Sequence, residues 1–301
     1  MAQRVFVTGG TGFVGKSVVR ALLAQGFLVR LLVRPGSEHD LKGFESIDRV
    51  PGDVMKPDGL APSVGGCSAL VNLVGIIEEQ RRRGVTFERL HVQATRNMVA
   101  LARAVGIKRY VQMSALGTRP DARARYHRTK WEAEEAVRAS DLDWTIFRPS
   151  IIFGRGDAFV SMLARMIKRA PIVPVLGSGR YRLQPIPVEQ VGEGFARVLR
   201  GAVGVRQTYD VAGPQPVAFV DLLDEIGHAL GRARVRKMHV PLGPVKVMTR
   251  ALDWLPFYPV STDQLLMLEE ESVGDASRFF ADLGIQPEPL AVGLHRMLGP
   301  S

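Results

Sequence analysis

The stretch Thr8–Gly15, reading TGGTGFVG, constrains this chain more than any other eight residues. It follows a short β-rich run, Arg4–Thr8, and opens an amphipathic helix. In that helix Val14, Val18, Val19, Leu22 and Leu23 recur at helical spacing, and Gly26 supplies the stop. Gly9, Gly12 and Gly15 have different work to do. The first permits a tight turn off the strand, the second lets backbone N–H groups approach a pyrophosphate, and the third allows close helix–sheet packing. The helix N-terminus then offers unpaired donors and a partial positive charge. Strand, glycine turn and helix in this order predict a dinucleotide-binding loop.

The residues that follow keep the same alternation. Phe27–Val33, Asp48–Pro51, Ala69–Ile77, Arg109–Met113 and Asp143–Phe147 read as strands, and Ala69–Ile77 is apolar enough to be buried on both faces. Phe87–Val105 and residues 126–138 read as long helices, of the kind through which such folds often pair. This pattern predicts an α/β fold: a Rossmann-type doubly wound parallel sheet with right-handed crossovers. The second half is broken by Pro171, Pro174, Pro185, Pro187, Pro214 and Pro216. Helices are expected at Ala158–Ile167, Val188–Leu199, Phe219–Leu230, Thr262–Glu269 and Asp275–Leu283, with strands at Leu183–Ile186, Thr208–Val211 and Val235–Val240. The expected division is a nucleotide-binding domain over 1–155 and a smaller C-terminal α+β lobe over 156–301, interleaved with the sheet.

Composition excludes several classes. With 46% apolar and 23% charged residues in 301, the chain is ordinary globular material that needs no covalent staple. Cys67 is the only cysteine, and no histidine pair has metal-ligand spacing, so neither an internal disulfide nor a zinc centre is expected. The longest apolar run is too short to cross a bilayer, and a strand at Arg4 leaves no room for a signal peptide. The net charge of +10 falls mostly in the first 150 residues. It suits phosphates of a cofactor, a nucleic acid or an acidic membrane surface, but no nucleic-acid motif accompanies it. Arg81-Arg82-Arg83 reads as a solvated turn. Trp254, Leu255, Phe257 and Tyr258, with Val245, Val247 and Met248, read as core of the small lobe or as a docking surface for a greasy partner. Met162, Leu163 and Met166 read as core, and His127 as an exposed helix residue.

Two further signals bear on chemistry. The second strand ends Val33-Arg34-Pro35, with no carboxylate before Glu38. An arginine there pairs with a 2′-phosphate, whereas NAD sites place an acid, so NADP(H) is favoured over NAD(H). Asp53, after the third strand, can accept from an adenine amino group. Tyr126 and Lys130, in a Y-x-x-x-K, share one helix face. The neighbouring ammonium is expected to favour the phenolate and make Tyr126 an acid/base.

The glycine motif, Ser114 after the fifth strand, Tyr126/Lys130 and RPSIIFG (Arg148–Gly154) together resemble the extended and atypical short-chain dehydrogenase/reductase superfamily over nearly the whole chain. The stretch Pro259–Asp275 resembles the NADPH-binding accessory subunit of respiratory complex I and its bacterial, epimerase-like relatives. The resemblance implies that Ser114 polarises a carbonyl, Tyr126 is the acid/base and Lys130 holds the nicotinamide ribose. It also implies cofactor contacts from Thr8, Gly9, Gly10, Thr11, Gly12, Phe13, Val14, Gly15, Arg34, Asp53, Val54, Leu73, Val74, Gly75, Met113, Tyr126, Lys130 and Pro149. Active members often carry paired serines after the fifth strand; here Ala115 occupies the second position. Two functions follow: an NADPH-dependent oxidoreductase or epimerase-like enzyme acting on a small carbonyl, sugar nucleotide or quinone-like compound, or a non-catalytic NADPH-binding subunit or assembly factor. Either implies a cytoplasmic protein, the second with respiratory-complex partners and peripheral contact at the inner membrane.

Overall fold

Short runs of β-branched and leucine residues, buried on both faces in the central strands, need partners on both edges, and in this chain they find one another in a single parallel sheet. The computed structural model describes residues 2–37, 41, 43–44, 46–201, 203–245 and 262–299. The first half contributes strands β1 (Arg4–Thr8), β2 (Leu28–Val33), β3 (Asp48–Pro51), β4 (Ala69–Asn72), β5 (Arg109–Met113) and β6 (Asp143–Pro149). Its helices are α1 (Phe13–Ala24), α2 (Ala61–Val64), α3 (Ala94–Ala104) and α4 (Arg125–Arg138). The second half adds β7 (Ile152–Phe153), α5 (Phe159–Arg169), β8 (Val173–Leu176), β9 (Arg182–Leu183), β10 (Ile186–Pro187), α6 (Val188–Val198) and β11 (Gln207–Val211). It continues with β12 (Val217–Ala218), α7 (Phe219–Ala229), β13 (Lys237–Val240), α8 (Thr262–Glu269), α9 (Ser277–Leu283) and α10 (Leu290–Leu298).

The main sheet has seven strands in the order β11-β6-β5-β4-β1-β2-β3. All pair in parallel, from Val5 opposite Val29 to Tyr209 opposite Phe147. Strand order reverses between β1 and β4, and ligands of such sheets bind at that crevice, outside the carboxyl ends. One face packs Val18, Leu22, Val191, Phe195 and Phe279; the other packs Val64, Met98, Ala102 and Val137. Helices α1 and α6 approach closely because Gly192 faces Ser17, where a Cβ would lie 2.6 Å from Oγ. A third core joins α5, α7 and α10 through Leu163, Leu222, Ile226 and Leu294.

Several expectations change in detail. The strand expected over Ala69–Ile77 ends at Asn72, because the backbone leaves the ladder there and Val74 N–H turns back to Asn72 Oδ1 at 3.4 Å. The strand expected over Leu183–Ile186 is two strands, since Pro185 has no N–H to continue a ladder. The helix expected from Phe87 opens as a π-helical turn over Glu88–Gln93 before α3. Thr208–Val211 belongs to a strand of the main sheet. Met162 is 42% exposed, whereas Leu163 is buried and Met166 partly so. Arg81–Arg83 forms an exposed turn, in which Arg81 pairs with Glu79 at 2.8 Å. The apolar cluster Val247–Tyr258 lies outside the described residues. Among the described residues, no helix is long and apolar enough to cross a membrane.

Candidate active site

The crevice begins with the glycine turn. Gly9 has φ +73°, and a Cβ there would meet the Leu73 carbonyl carbon at 2.9 Å. Gly15 sits still tighter: its Cβ would fall 2.3 Å from Gly9 O and 2.5 Å from the Gly10 Cα, so its purpose is to seat α1 against its own loop. Gly12 is different. It is exposed, a Cβ would meet only Gly9 O at 3.4 Å, and as N-cap of α1 it leaves the first-turn amides without a side-chain cap. A cradle closed on the protein side and open on the other, with free amides, fits a diphosphate. Thr11, Phe13 and Val14 are half-buried around it.

Beneath the cradle runs a polar seam that the sequence reading did not find. Thr8 Oγ1 donates to Asn72 Oδ1 at 2.7 Å, and Asn72 Nδ2 donates to Gln112 Oε1 at 3.0 Å and to Thr95 Oγ1 at 3.3 Å. Tyr110 Oη donates to the same Gln112 oxygen at 3.1 Å. Asn72, Thr8 and Gln112 are buried, so the seam ties the carboxyl ends of β1, β4 and β5 together. Thr8 thus serves the frame of the crevice through its side chain. The signal was available: Asn72 is the one amide in an otherwise apolar run.

Arg34 directly follows β2 with an exposed side chain that has no hydrogen-bond or ion-pair partner among the described residues. Asp53 follows β3, where its Oδ1 accepts from Met55 N–H at 2.9 Å. Val54 is buried, and its carbonyl accepts from Asn97 Nδ2 at 2.8 Å. These residues line the side of the crevice reached from β2 and β3. On the other side lie Leu73, Val74 and Gly75 after β4, Met113 at the end of β5 and Pro149 at the end of β6.

Tyr126 and Lys130 stand on one face of α4 and are both buried, at 8% and 2% exposure. Lys130 Nζ donates to Met113 O at 3.3 Å, and a Cβ on Gly75 would meet the same nitrogen at 2.8 Å. The ammonium therefore sits between the ends of β4 and β5. Desolvation pulls its pKa down to about 8, opposed by the Glu134 carboxylate. Tyr126 is surrounded edge-on by Phe87, His91 and His127, with ring centroids 5.8, 5.3 and 5.3 Å away. Burial pushes its phenol up to about 12. This corrects the expected phenolate: a lysine one turn away does not offset removal of the ring from water.

The neighbours of this pair also differ from expectation. Ser114 is buried and its Oγ donates to Thr118 Oγ1 at 3.4 Å, whereas Ala115 packs with Tyr126 and Phe87. His91 lies in the π-helical turn, with Nδ1 2.9 Å from Thr129 Oγ1 and Nε2 3.0 Å from Ile76 O. Burial, then the Lys130 charge, holds His91 well below the ordinary imidazole range. His127, expected on the surface, is 4% exposed, and its Nδ1 is 3.1 Å from Glu270 Oε2. Burial lowers its pKa, opposed by Glu270. That contact closes from the far end of the chain, which local spacing cannot reveal.

Helix α4 is pinned by a buried carboxylate. Glu134, fully buried, accepts from Arg148 Nε at 2.8 Å and Nη2 at 2.6 Å, and from Arg138. Glu134→Ala leaves the Arg148 guanidinium without its carboxylate at the β6–α4 contact. The expected cost is about 3–5 kcal/mol of unfolding free energy, read by urea denaturation.

With this geometry in place, the likenesses to known proteins are informative. A family model described as NAD(P)H-binding matches residues 9–157. The ceramide reductase of Caulobacter vibrioides is 31% identical over 79% of this chain and 73% of its own length. NADH dehydrogenase [ubiquinone] 1 alpha subcomplex subunit 9 of Arabidopsis thaliana mitochondria is 28% identical over 94% of this chain and 74% of its own. The UDP-glucose 4-epimerase of Thermotoga maritima shares the fold at a TM-score of 0.77, covering 98% of this chain and 97% of that one at 16% identity. The chain belongs to the NAD(P)H-binding short-chain dehydrogenase/reductase superfamily, is related to the ceramide reductase and to the complex I subunit, and shares its fold with the epimerase.

Proposed function

We propose that this chain is an NADP(H)-dependent carbonyl reductase whose proton donor is Tyr126. The observation that carries the reading is the burial of Tyr126 and Lys130 together at the carboxyl ends of β4 and β5, with Nζ against Gly75 and the Met113 carbonyl. When bound, the reduced dinucleotide supplies a hydride to the carbonyl carbon. The chain supplies the rest. The glycine cradle and first-turn amides of α1 hold the diphosphate. Lys130, with three donors and one weak protein contact, holds the nicotinamide ribose hydroxyls. Tyr126 Oη gives its proton to the carbonyl oxygen, so the product is an alcohol. Ser114 and Thr118, which already share a hydrogen bond, are the hydroxyls of the β5–α4 connection that support this end of the site. Asp53 and Val54 face the adenine, and Leu73, Val74 and Pro149 wall the nicotinamide side.

A tyrosine held as phenol at neutral pH is in the state that proton donation to a carbonyl requires. The direct test is NADPH oxidation by the parent protein with a panel of ketones; no consumption with any of them overturns the reductase reading.

The coenzyme form rests on Arg34. An exposed guanidinium with no partner among the described residues, at the end of β2, supports a 2′-phosphate contact. Arg34→Asp is expected to weaken NADPH by about 10–100-fold and to spare NADH, measured by cofactor fluorescence titration. Equal affinities of the parent for the two coenzymes would refute the assignment.

A second reading is favoured by Ala115, which packs on Tyr126 where the superfamily's second serine would stand. On that reading the chain is a non-catalytic NADPH-binding subunit or assembly factor that docks peripherally on a membrane respiratory complex. The dinucleotide would then act as a folding ligand, worth about 4 kcal/mol at a thousandfold excess over Kd.

A further inference from the structure

We propose that the substrate side of the Tyr126 site takes a carbonyl compound flanked by hydrocarbon, such as a long-chain ketone, and not a nucleotide-linked sugar. This rests on the reading of Tyr126 and Lys130 as a coenzyme-linked reductase pair. Three observations carry it.

The first is the wall. Tyr126 clusters with Phe87 and Ala115, and Ile76 and Met267 pack against them. Sugar hydroxyls need hydrogen-bond partners throughout their pocket, and a surface of this kind leaves them unpaired. The polar rings beside Tyr126 are already engaged: His91 with Thr129 and Ile76, His127 with Glu270.

The second is the state of the arginines around the start of α4. Arg119 pairs with Glu270 at 2.9 Å, Arg123 with Glu269 at 3.4 Å and Arg125 with Glu79 at 3.1 Å. Arg148 pairs with Glu134 at 2.6 Å, and Arg182 of β9 pairs at 3.0 Å with Glu271, the next residue of the C-terminal segment. Arg128, in the first turn of α4, instead donates to the Ala122 and Arg123 carbonyls at 2.8 and 2.7 Å. A nucleoside diphosphate would have to draw any of these cations from a partner it already holds. Glu270, whose side chain is 5% exposed, would then be left buried without its arginine. An uncharged ligand asks for no such exchange.

The third is the cover. Helix α8 carries Leu265-Leu266-Met267-Leu268, of which only Leu265 is buried and the others are half-buried. It is hooked to α4 by Asp263, which accepts from Arg125 N–H at 2.6 Å, and by Glu270 just beyond its end, which accepts from Arg123 N–H at 2.7 Å. Those hooks set Met267 against the cluster of Tyr126, Phe87 and Ala115. An unbranched, polarisable side chain in that place adapts to a hydrocarbon ligand by changing rotamer. Apolar atoms that meet the ligand on several sides gain from its burial in proportion to the area covered.

The test uses the full chain with NADP+ saturating, so that the coenzyme side is filled and no turnover occurs, and reads thermal melting. Addition of 2-decanone is expected to raise Tm further, and UDP-glucose to leave it unchanged. In Met267→Glu the ketone's apparent Kd is expected to weaken by about tenfold or more, with the NADP+ shift retained. Met267→Gln, which keeps length and adds no charge, serves if the first variant fails to fold, and is expected to weaken the ketone in the same direction. A Tm rise with UDP-glucose, no rise with either ligand, or an undiminished ketone response in the Met267 variants would overturn the proposal. Absence of any NADP+ shift in the parent would instead strike the coenzyme reading beneath it, and this proposal with it.

Discussion

Phenylalanine at position 126 is expected to lower ketone-dependent NADPH oxidation by about 10²–10⁴-fold, the usual range for loss of a positioned proton donor. Coenzyme affinity is expected to stay within about twofold, because the substitution removes one oxygen that has no hydrogen-bond partner among the described residues. The contacts of the ring with Phe87, His91 and His127 survive, so α4 and the crevice keep their shape. Stopped-flow or steady-state NADPH absorbance gives the rate, and fluorescence titration the affinity. The pH profile adds an independent check. Burial keeps Tyr126 protonated up to about 12, so this group leaves the reductive rate flat through the neutral range. Alcohol oxidation, which needs the phenolate, should rise about tenfold per pH unit over the same range. Should parent and variant oxidise NADPH equally slowly and bind it equally well, the non-catalytic reading stands in place of the enzymatic one.

What could be read in advance was local, and what could not was long-range. TGGTGFVG announces its turn because Gly9, Gly10 and Gly15 each answer a clash within a few residues or across a neighbouring strand, while Gly12 leaves the cradle open. The parallel strands of the first half were legible for a similar reason: a short apolar run between glycines has few other uses. By contrast, β11 joins the sheet beside β6 across the intervening residues 150–206, and nothing in Gln207–Val211 marks it as a sheet partner rather than a strand of the small lobe. Helix α10 was not foreseen at all, although its Leu294 is fully buried in the third core. At the site, the pair Tyr126/Lys130 was visible as spacing, but its electrostatics were not. Spacing says that a lysine is one turn from a tyrosine. It does not say that both are out of water, and burial decides the sign of the tyrosine shift. His127 shows the same limit. Its partner Glu270 is 143 residues away, so a histidine that reads as exposed on the helix is held inside by the C-terminal segment.

Lys130→Met is expected to make the protein without coenzyme more stable at neutral pH while crippling it as a dinucleotide binder. Lys130 is 2% exposed, and its pKa falls from 10.5 to about 8, chiefly by desolvation. Because the folded value lies below the unfolded one, the unfolded chain binds more protons between pH 8 and 10.5. Unfolding free energy of the parent therefore rises through that window, by about 3 kcal/mol in all. Below pH 8 the ammonium is charged in both states and this penalty is present in full; above 10.5 it is gone. Methionine removes the buried charge and keeps most of the stem. The variant should accordingly exceed the parent by about 2–3 kcal/mol in urea denaturation at pH 7, and the gap should close as pH approaches 10.5. A residue kept at a cost to stability is expected to return it through a ligand, and the ribose hydroxyls are the groups that solvate Nζ when coenzyme binds. Binding then raises the lysine pKa, so the parent should take up a fraction of a proton on binding NADP(H) between pH 8 and 9. Calorimetry in two buffers of different ionisation enthalpy measures that uptake, and Lys130→Met should abolish it together with most of the affinity. A parent that binds coenzyme with no proton uptake in this range, or a variant less stable than the parent at pH 7, would show that the ammonium is held by something other than the dinucleotide.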